Sequence, residues 1–273
     1  MDFGLNEHIC VRPETEAALA AVLEAMRIID SREGAADITS KGGIDLVTAA
    51  DIRSEDCIRE CLGKAFPSYP IIGEERGGSA AEDTPYWLVD PICGTRPYAS
   101  NIPLYCCNIA LVENGRVTAA AIGIGTTGEI LYGELGKGAW MRTRNGDARI
   151  NVSDSSHALW FDGRGALAAE VVRRTILQNR WFVWQFSSSI AYPYVACGRM
   201  AGLVHCSGHL SAVHTAAGCF ITEQAGAVIT NLDGDPWRFD VPGYIVAAAP
   251  ALHTDLHNIV SLCRSDIAAG KQD

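Results

Sequence analysis

Two hydrophobic rhythms run along this chain, and the points where one replaces the other divide it into elements. Over residues 14–29, Leu19, Val22, Leu23, Met26 and Ile29 recur at helical spacing, which predicts an amphipathic helix. Residues 51–65 repeat the pattern with Ile52, Ile58, Cys61 and Leu62, and Pro67 marks the end of that helix. Ile71-Ile72 and Trp87-Leu88-Val89 read as short buried strands, each followed directly by acidic residues. Over 106–150 the pattern changes to strands and tight turns. Asn114-Gly115, Thr127-Gly128 and Asn145-Gly146 separate apolar runs and predict an antiparallel meander.

Beyond Ser153 strands and helices alternate. A strand near Leu159, a helix over 166–177, a strand over 181–186 and a helix over 190–200 are followed by a strand at Leu203-Val204. A helix over 215–225, strands over 227–230 and 244–248 and a terminal helix complete the series. The density of Asp, Ser and Asn near 150–158 gives the best boundary, between an N-terminal α+β half (1–152) and a C-terminal α/β half (153–273). No internal repeat or low-complexity segment interrupts it.

Composition narrows the function classes. With 48% apolar and 20% charged residues, the chain is an ordinary globular mix with ample core. A formal net charge of −10 argues against nucleic acid or an anionic membrane as the main partner. A local anion site stays possible, because backbone N–H groups and a metal supply positive potential. The ten cysteines are scattered with no Cys-x-x-Cys pair, and Cys57, Cys61, Cys197 and Cys219 sit inside apolar runs. They read as small core hydrophobes of a reduced, cytoplasmic protein. Cys106 and Cys107, adjacent on a strand, point to opposite faces and form no disulfide. Residues 1–10 carry no basic-then-apolar leader, and no apolar run approaches membrane-spanning length.

Four segments end apolar runs with acids or hydroxyls. They are Asp45-Leu-Val-Thr48-Ala-Ala-Asp51, Gly73-Glu74-Glu75, Asp90-Pro-Ile-Cys93-Gly-Thr95 and His214-Thr-Ala-Ala-Gly218. In the third, a strand delivers Asp90, a proline turn follows, and Gly94-Thr95 open a helix, so a carboxylate and free N–H groups converge as a cation plus a phosphate require. Taken singly, Asp51 reads as a helix cap and Glu74-Glu75 as solvated loop. In this order and spacing, the four segments resemble the inositol monophosphatase family of magnesium-dependent, lithium-sensitive phosphatases. Gly198-Arg199 and the run from Glu223 to Asp233-Gly234 extend the likeness to about Ala249.

The resemblance implies an α/β (α+β) αβαβα layered sandwich, a homodimer and a small phosphate ester as substrate. It implies one Mg²⁺ on Glu74, Asp90 and the Ile92 carbonyl, hard oxygen donors as that ion requires. It implies a water oriented by Glu74 and by Thr95, whose hydroxyl bonds Asp51, and a phosphate on the N–H groups of Gly94 and Thr95. The chain departs from the family at the second ion. The second Asp of the signature is Cys93, and the Asp of the family's Trp-Asp-x-Ala-Ala motif is His214. The family's sugar-contacting Glu falls near Ser207, and its Gly-Ser-Ala-Ala stretch reads Ser187-Ser188-Ser189-Ile190.

The leading reading is a divergent phosphomonoesterase acting on a sugar, polyol or amino-alcohol phosphate in specialised metabolism. It would use one or two Mg²⁺, with His214 as general acid. Three others stay open. Asp90, Cys93 and His214 suit Zn²⁺. Cys93 before a helix start, where a thiolate is favoured, paired with His214 suits an isomerase, lyase or transferase. An inactive ligand-binding homologue is the last. Arg96 follows the phosphate turn and reads as an anion contact or, more simply, a surface salt bridge. His205 and His209 lie near in sequence, with structural roles the simpler reading for both.

Overall fold

The computed structural model describes residues 10–42, 45–125, 127–206, 211–239, 241 and 243–270. Helix α1 spans Pro13–Ser31, with proline at its start, where a missing N–H costs nothing, and Glu14 and Glu16 in its first turn. An antiparallel hairpin follows, β1 (Ile38–Gly42) with β2 (Asp45–Thr48). The sequence pattern does not predict it, because all five residues of β1 are exposed and no alternation marks them. Helix α2 (Ala49–Ala65) begins two residues before the expected start. Thr48 and Asp51 form a reciprocal capping box, so Asp51 lies inside the first turn rather than ahead of it.

Strand β3 (Ile71–Gly73) pairs in parallel with β4 (Tyr86–Cys93), and the single-turn helix α3 (Thr95–Ala99) follows. The meander comprises β5 (Cys106–Glu113), β6 (Arg116–Ile124), β7 (Ile130–Glu134), β8 (Gly138–Thr143) and β9 (Gly146–Ile150). Asn114 and Gly115 both take positive φ, 51° and 71°, as a two-residue hairpin turn demands. The second half contains β10 (Ala158–Gly163), α4 (Gly165–Leu177), β11 (Phe182–Gln185), α5 (Ala191–Ala196) and β12 (Gly202–Cys206). Helix α6 (Ala212–Gln224), strands β13 (Val228–Asn231) and β14 (Tyr244–Ala247) and helix α7 (Pro250–Ala268) follow. Helix α5 is shorter than the expected 190–200. It stops at Ala196, two residues before Gly198, whose φ of 73° leaves the helical region.

Strands β3 to β9 form one seven-stranded sheet in chain order, antiparallel except at β3–β4. The second sheet has the order β11-β10-β12-β14-β13. Three apolar cores hold five layers together, the middle one filling two interfaces. One packs α1 and α2 against the larger sheet, through Leu19, Val22, Ile58, Trp87 and Val89. The next joins the other face of that sheet to α5, α6 and the smaller sheet, through Leu88, Ile122, Tyr192, Phe220 and Val246. The third seats α4 and α7 beneath the smaller sheet, through Val171, Leu252 and Val260. The result is an αβαβα sandwich. Cys106 and Cys107 belong to different cores, and all ten cysteines are free. Among the described residues no helix is long and apolar enough to cross a membrane.

Helix α6 is buried on nearly every side, as an inner layer requires. It approaches α5 closely at Gly218, where a Cβ would lie 2.6 Å from the Tyr192 ring. Gly218→Ala is therefore expected to destabilise the fold by about 1–3 kcal/mol through overpacking. Urea unfolding reads this directly, and an unchanged midpoint would contradict the close approach.

Candidate functional site

The site starts from an irregularity in β4. Asp90 pairs with Asn108 and Cys93 with Cys106, so three steps on β4 face two on β5. This extra residue is a bulge at Pro91, which has no N–H to offer a ladder. The expected proline turn is thus a kink within the strand. Its consequence is a change of face. Leu88 and Asp90 share one side, and strict alternation would put Ile92 with them. Instead Ile92 packs in the α1–α2 core and Cys93 in the central one. Asp90 and Cys93 are thereby brought together toward α6.

Glu74 stands at the end of β3, with its N–H donating to the Val89 carbonyl at 3.0 Å. The fully buried Glu55 carboxylate anchors the next residues, accepting from the N–H groups of Glu75 (2.7 Å) and Arg76 (3.0 Å). Lys41, from the exposed hairpin, reaches Glu75 at 2.6 Å and Glu74 at 3.3 Å. Burial first, then the Asp90 charge, pushes the Glu74 carboxyl up to about 7, against the pull of His214 and Lys41. Asp90 is fully buried, and its Oδ1 has no hydrogen-bond partner. Two crowded carboxylates, one with an unpartnered oxygen, with the Ile92 carbonyl close by in sequence, fit a hard divalent cation.

Beside them, the Thr95 hydroxyl lies 3.1 Å from Asp51 Oδ1 and 3.0 Å from the Ile92 carbonyl. Asp51 is held in turn by the hydroxyl and the N–H of Thr48. Gly94 caps α3 at φ 96°, and a Cβ there would lie 2.7 Å from the Leu104 carbonyl and 2.9 Å from Ser188 Oγ. Only glycine fits that position.

On the other side of Asp90 stands His214, in the first turn of α6. Its Nδ1 lies 2.7 Å from Asp90 Oδ2 and 3.9 Å from Glu74 Oε2. Burial opposes charge on the ring, but the hydrogen bonds to Asp90 and Cys93 outweigh it and raise its pKa well above the ordinary value. Among the described residues, Asp90, Cys93 and His214 are the one group of three metal-binding side chains whose ligand atoms lie within 4.8 Å of one another. The Cys106 thiol, then burial and the Asp90 charge, push the Cys93 thiol up.

The inositol monophosphatase family model matches residues 11–264. The chain belongs to the inositol monophosphatase family. It is 34% identical to an inositol-1-monophosphatase of Mesorhizobium japonicum over 77% of this chain and 80% of that one. It is 26% identical to the Nus factor SuhB of Pasteurella multocida, over 94% and 98% of the two chains. Among solved structures, the Thermotoga maritima IMPase superposes with a TM-score of 0.82 at 23% identity, covering 92% of this chain and 98% of that one. The extragenic suppressor protein suhB of Bartonella henselae gives a TM-score of 0.80 at 23% identity, over 90% and 97%. These superpositions establish the fold.

Against that family background, the structure brings Asp51, Glu74, Asp90, Ile92, Cys93, Gly94, Thr95 and His214 into one neighbourhood. Other expectations are corrected. Arg96 is exposed and makes no ion pair among the described residues, so the expected salt bridge is absent there. His205, by contrast, takes the structural role that is its simpler reading, with Nδ1 3.1 Å from the Tyr192 hydroxyl and Nε2 3.7 Å from Asp162. Cys93 is no favoured thiolate, since α3 is a single turn and its neighbours raise the thiol. Ser207 and His209 lie outside the described residues. Lys41, Glu55 and Asn108 carry no signal in the sequence, because only tertiary contact gives them meaning, whereas Ser189 is marked only as part of the altered Ser187-Ser188-Ser189-Ile190 stretch.

Burial, opposed by the bonds from Thr48 and Thr95, pushes the Asp51 carboxyl from its ordinary 3.8 up to about 6. A carboxyl whose folded pKa exceeds its unfolded one binds its proton more tightly when folded, so ionisation works against the fold. The penalty is absent below about pH 4, grows to about pH 6 and is full above it. Relative to Asp51→Asn, the wild type should lose at most about 3 kcal/mol over that window. Parallel stability–pH curves for the two proteins would refute this.

Proposed function

We propose that this chain is a metal-dependent phosphomonoesterase acting on a small sugar, polyol or amino-alcohol phosphate. The observation that carries the reading is the Glu74–Asp90 carboxylate pair, with Asp90 Oδ1 buried and unpartnered beside the Thr95–Asp51 pair. The relatives named inositol-1-monophosphatase support the reaction class.

Glu74, Asp90 and the Ile92 carbonyl are the residues to hold Mg²⁺, which supplies charge neutralisation for phosphoryl oxygens. The protein supplies positioning. Asp51 accepts the Thr95 proton at 3.1 Å, which leaves lone pairs of Thr95 Oγ to orient an attacking water. Glu74, a carboxylate beside Asp90 at the end of β3, is placed to accept that water's proton. The N–H groups at the start of α3 lack intrahelical acceptors and face where a phosphate oxygen would rest. Gly94 keeps that approach open, and Arg96, exposed next to it, is an available cation for the same anion. The homodimer, the cytoplasmic setting, the specialised-metabolism role and the division at residues 152/153 belong to the same proposal and rest on the family likeness and the sequence pattern.

Phosphate release from a panel of small phosphate monoesters with Mg²⁺ tests the reading. Turnover is expected for at least one of them. Glu74→Gln and Thr95→Val should each lower it by about 10²–10⁴-fold, the usual worth of a positioned proton acceptor or orienting group. No turnover across the panel, or full activity in Glu74→Gln, would sink the proposal.

A further inference from the structure

We infer that the second ion place of this chain takes a thiophilic divalent cation of the zinc class, held by Asp90, Cys93 and His214. The family implies Mg²⁺ there, and the donors do not fit it. Mg²⁺ prefers oxygen donors in near-ideal octahedra, whereas a thiolate, an imidazole and a carboxylate with one position open make a zinc-type set. One ligand atom from each of the three lies within 4.8 Å of the others.

The surroundings are arranged to hold a sulfur ligand. The Ser189 N–H donates to Cys93 Sγ at 3.3 Å, a bond that strengthens when sulfur carries charge. Ser189 is itself fixed, because its Oγ accepts from Asn108 Nδ2 at 2.8 Å and lies 3.2 Å from Cys106 Sγ. Ser188 Oγ donates to the Cys93 carbonyl at 3.3 Å. These groups are buried, and partners of this kind orient a metal ligand. Ser188 and Ser189 are thereby explained as the support of Cys93.

Asp90 supplies an independent sign of a ligand. Its Oδ2 meets His214 Nδ1 at 2.7 Å, while its buried Oδ1 has no hydrogen-bond partner. A carboxylate placed this way serves two cations, a hard one on the Glu74 side and a soft one on the His214 side. Binding is balanced. The proton that Nδ1 holds against Asp90 and the thiol proton of Cys93 pass to solvent, and one divalent cation takes their place. The inference shares Asp90 with the phosphatase reading but does not depend on turnover.

Titration of the metal-free full chain with Co²⁺ tests it. A sulfur-to-cobalt charge-transfer band should appear in the near ultraviolet, be displaced by Zn²⁺ and survive an excess of Mg²⁺. Cys93→Ser should abolish the band and weaken Zn²⁺ binding by at least about 10-fold, the lower end of what losing even an outer partner costs. If Cys93→Ser does not fold, Cys93→Asp serves instead, and it should lack the band while gaining stabilisation by Mg²⁺. No band, a band that Mg²⁺ displaces, or a band that persists without the Cys93 thiol would overturn the assignment. A band without phosphate release would sink only the phosphatase reading, and turnover without a band only this one.

Discussion

Asp90 is a fully buried carboxylate with only one of its oxygens hydrogen-bonded, and the rest of the site is arranged around that fact. Burying an uncompensated carboxylate is costly. The fold supplies compensation through His214 on one side, and the proposed cation beside Glu74 would supply it on the other. Glu74 bears the strain most visibly, since burial and the Asp90 charge carry its carboxyl up to about 7. The bulge at Pro91 makes the arrangement possible by turning Cys93 to the face that Asp90 already occupies.

Several layers of the sandwich meet here. Strand β4 supplies Asp90, Ile92 and Cys93, helix α2 supplies Asp51, and α6 supplies His214. The exposed hairpin β1–β2 adds Lys41, which ties Glu74 and Glu75. Polar atoms behind Cys93 come from β5 and from the turn before α5. A thiol and an imidazole stand on one side of Asp90, while the Glu74, Ile92 and Thr95 side presents oxygen donors. A site with a hard half and a soft half is the chemical signature of this family member.

Much of this was legible in the sequence, and the failures have physical causes. Long amphipathic helices such as α1 and α2, and turns such as Asn114-Gly115, announce themselves through period and turn chemistry. The order Glu74, Asp90-Pro-Ile-Cys93-Gly-Thr95, His214 carried the family and the paired change. The β1–β2 hairpin stayed hidden because β1 buries nothing. Pro91 read as a turn because its local preference is the same in a turn and a bulge; only pairing with β5 distinguishes them. Cys93 looked like an activated thiol from its place before a helix, but Cys106 and the buried surroundings decide otherwise. His205 keeps the structural role the sequence favoured, held in the core by Tyr192 and Asp162. Contacts such as Ser189 with Asn108 join residues 81 apart, which no local pattern encodes.

In the proposed site Asp90 divides a hard cation place from a soft one. X-ray absorption at the zinc edge, on protein loaded with one Zn²⁺ in excess Mg²⁺, tests it most directly. A single sulfur neighbour at about 2.3 Å is expected, with nitrogen and oxygen neighbours at about 2.0 Å. A shell of nitrogen and oxygen alone, or a sulfur signal that remains after Cys93→Ser, would contradict it.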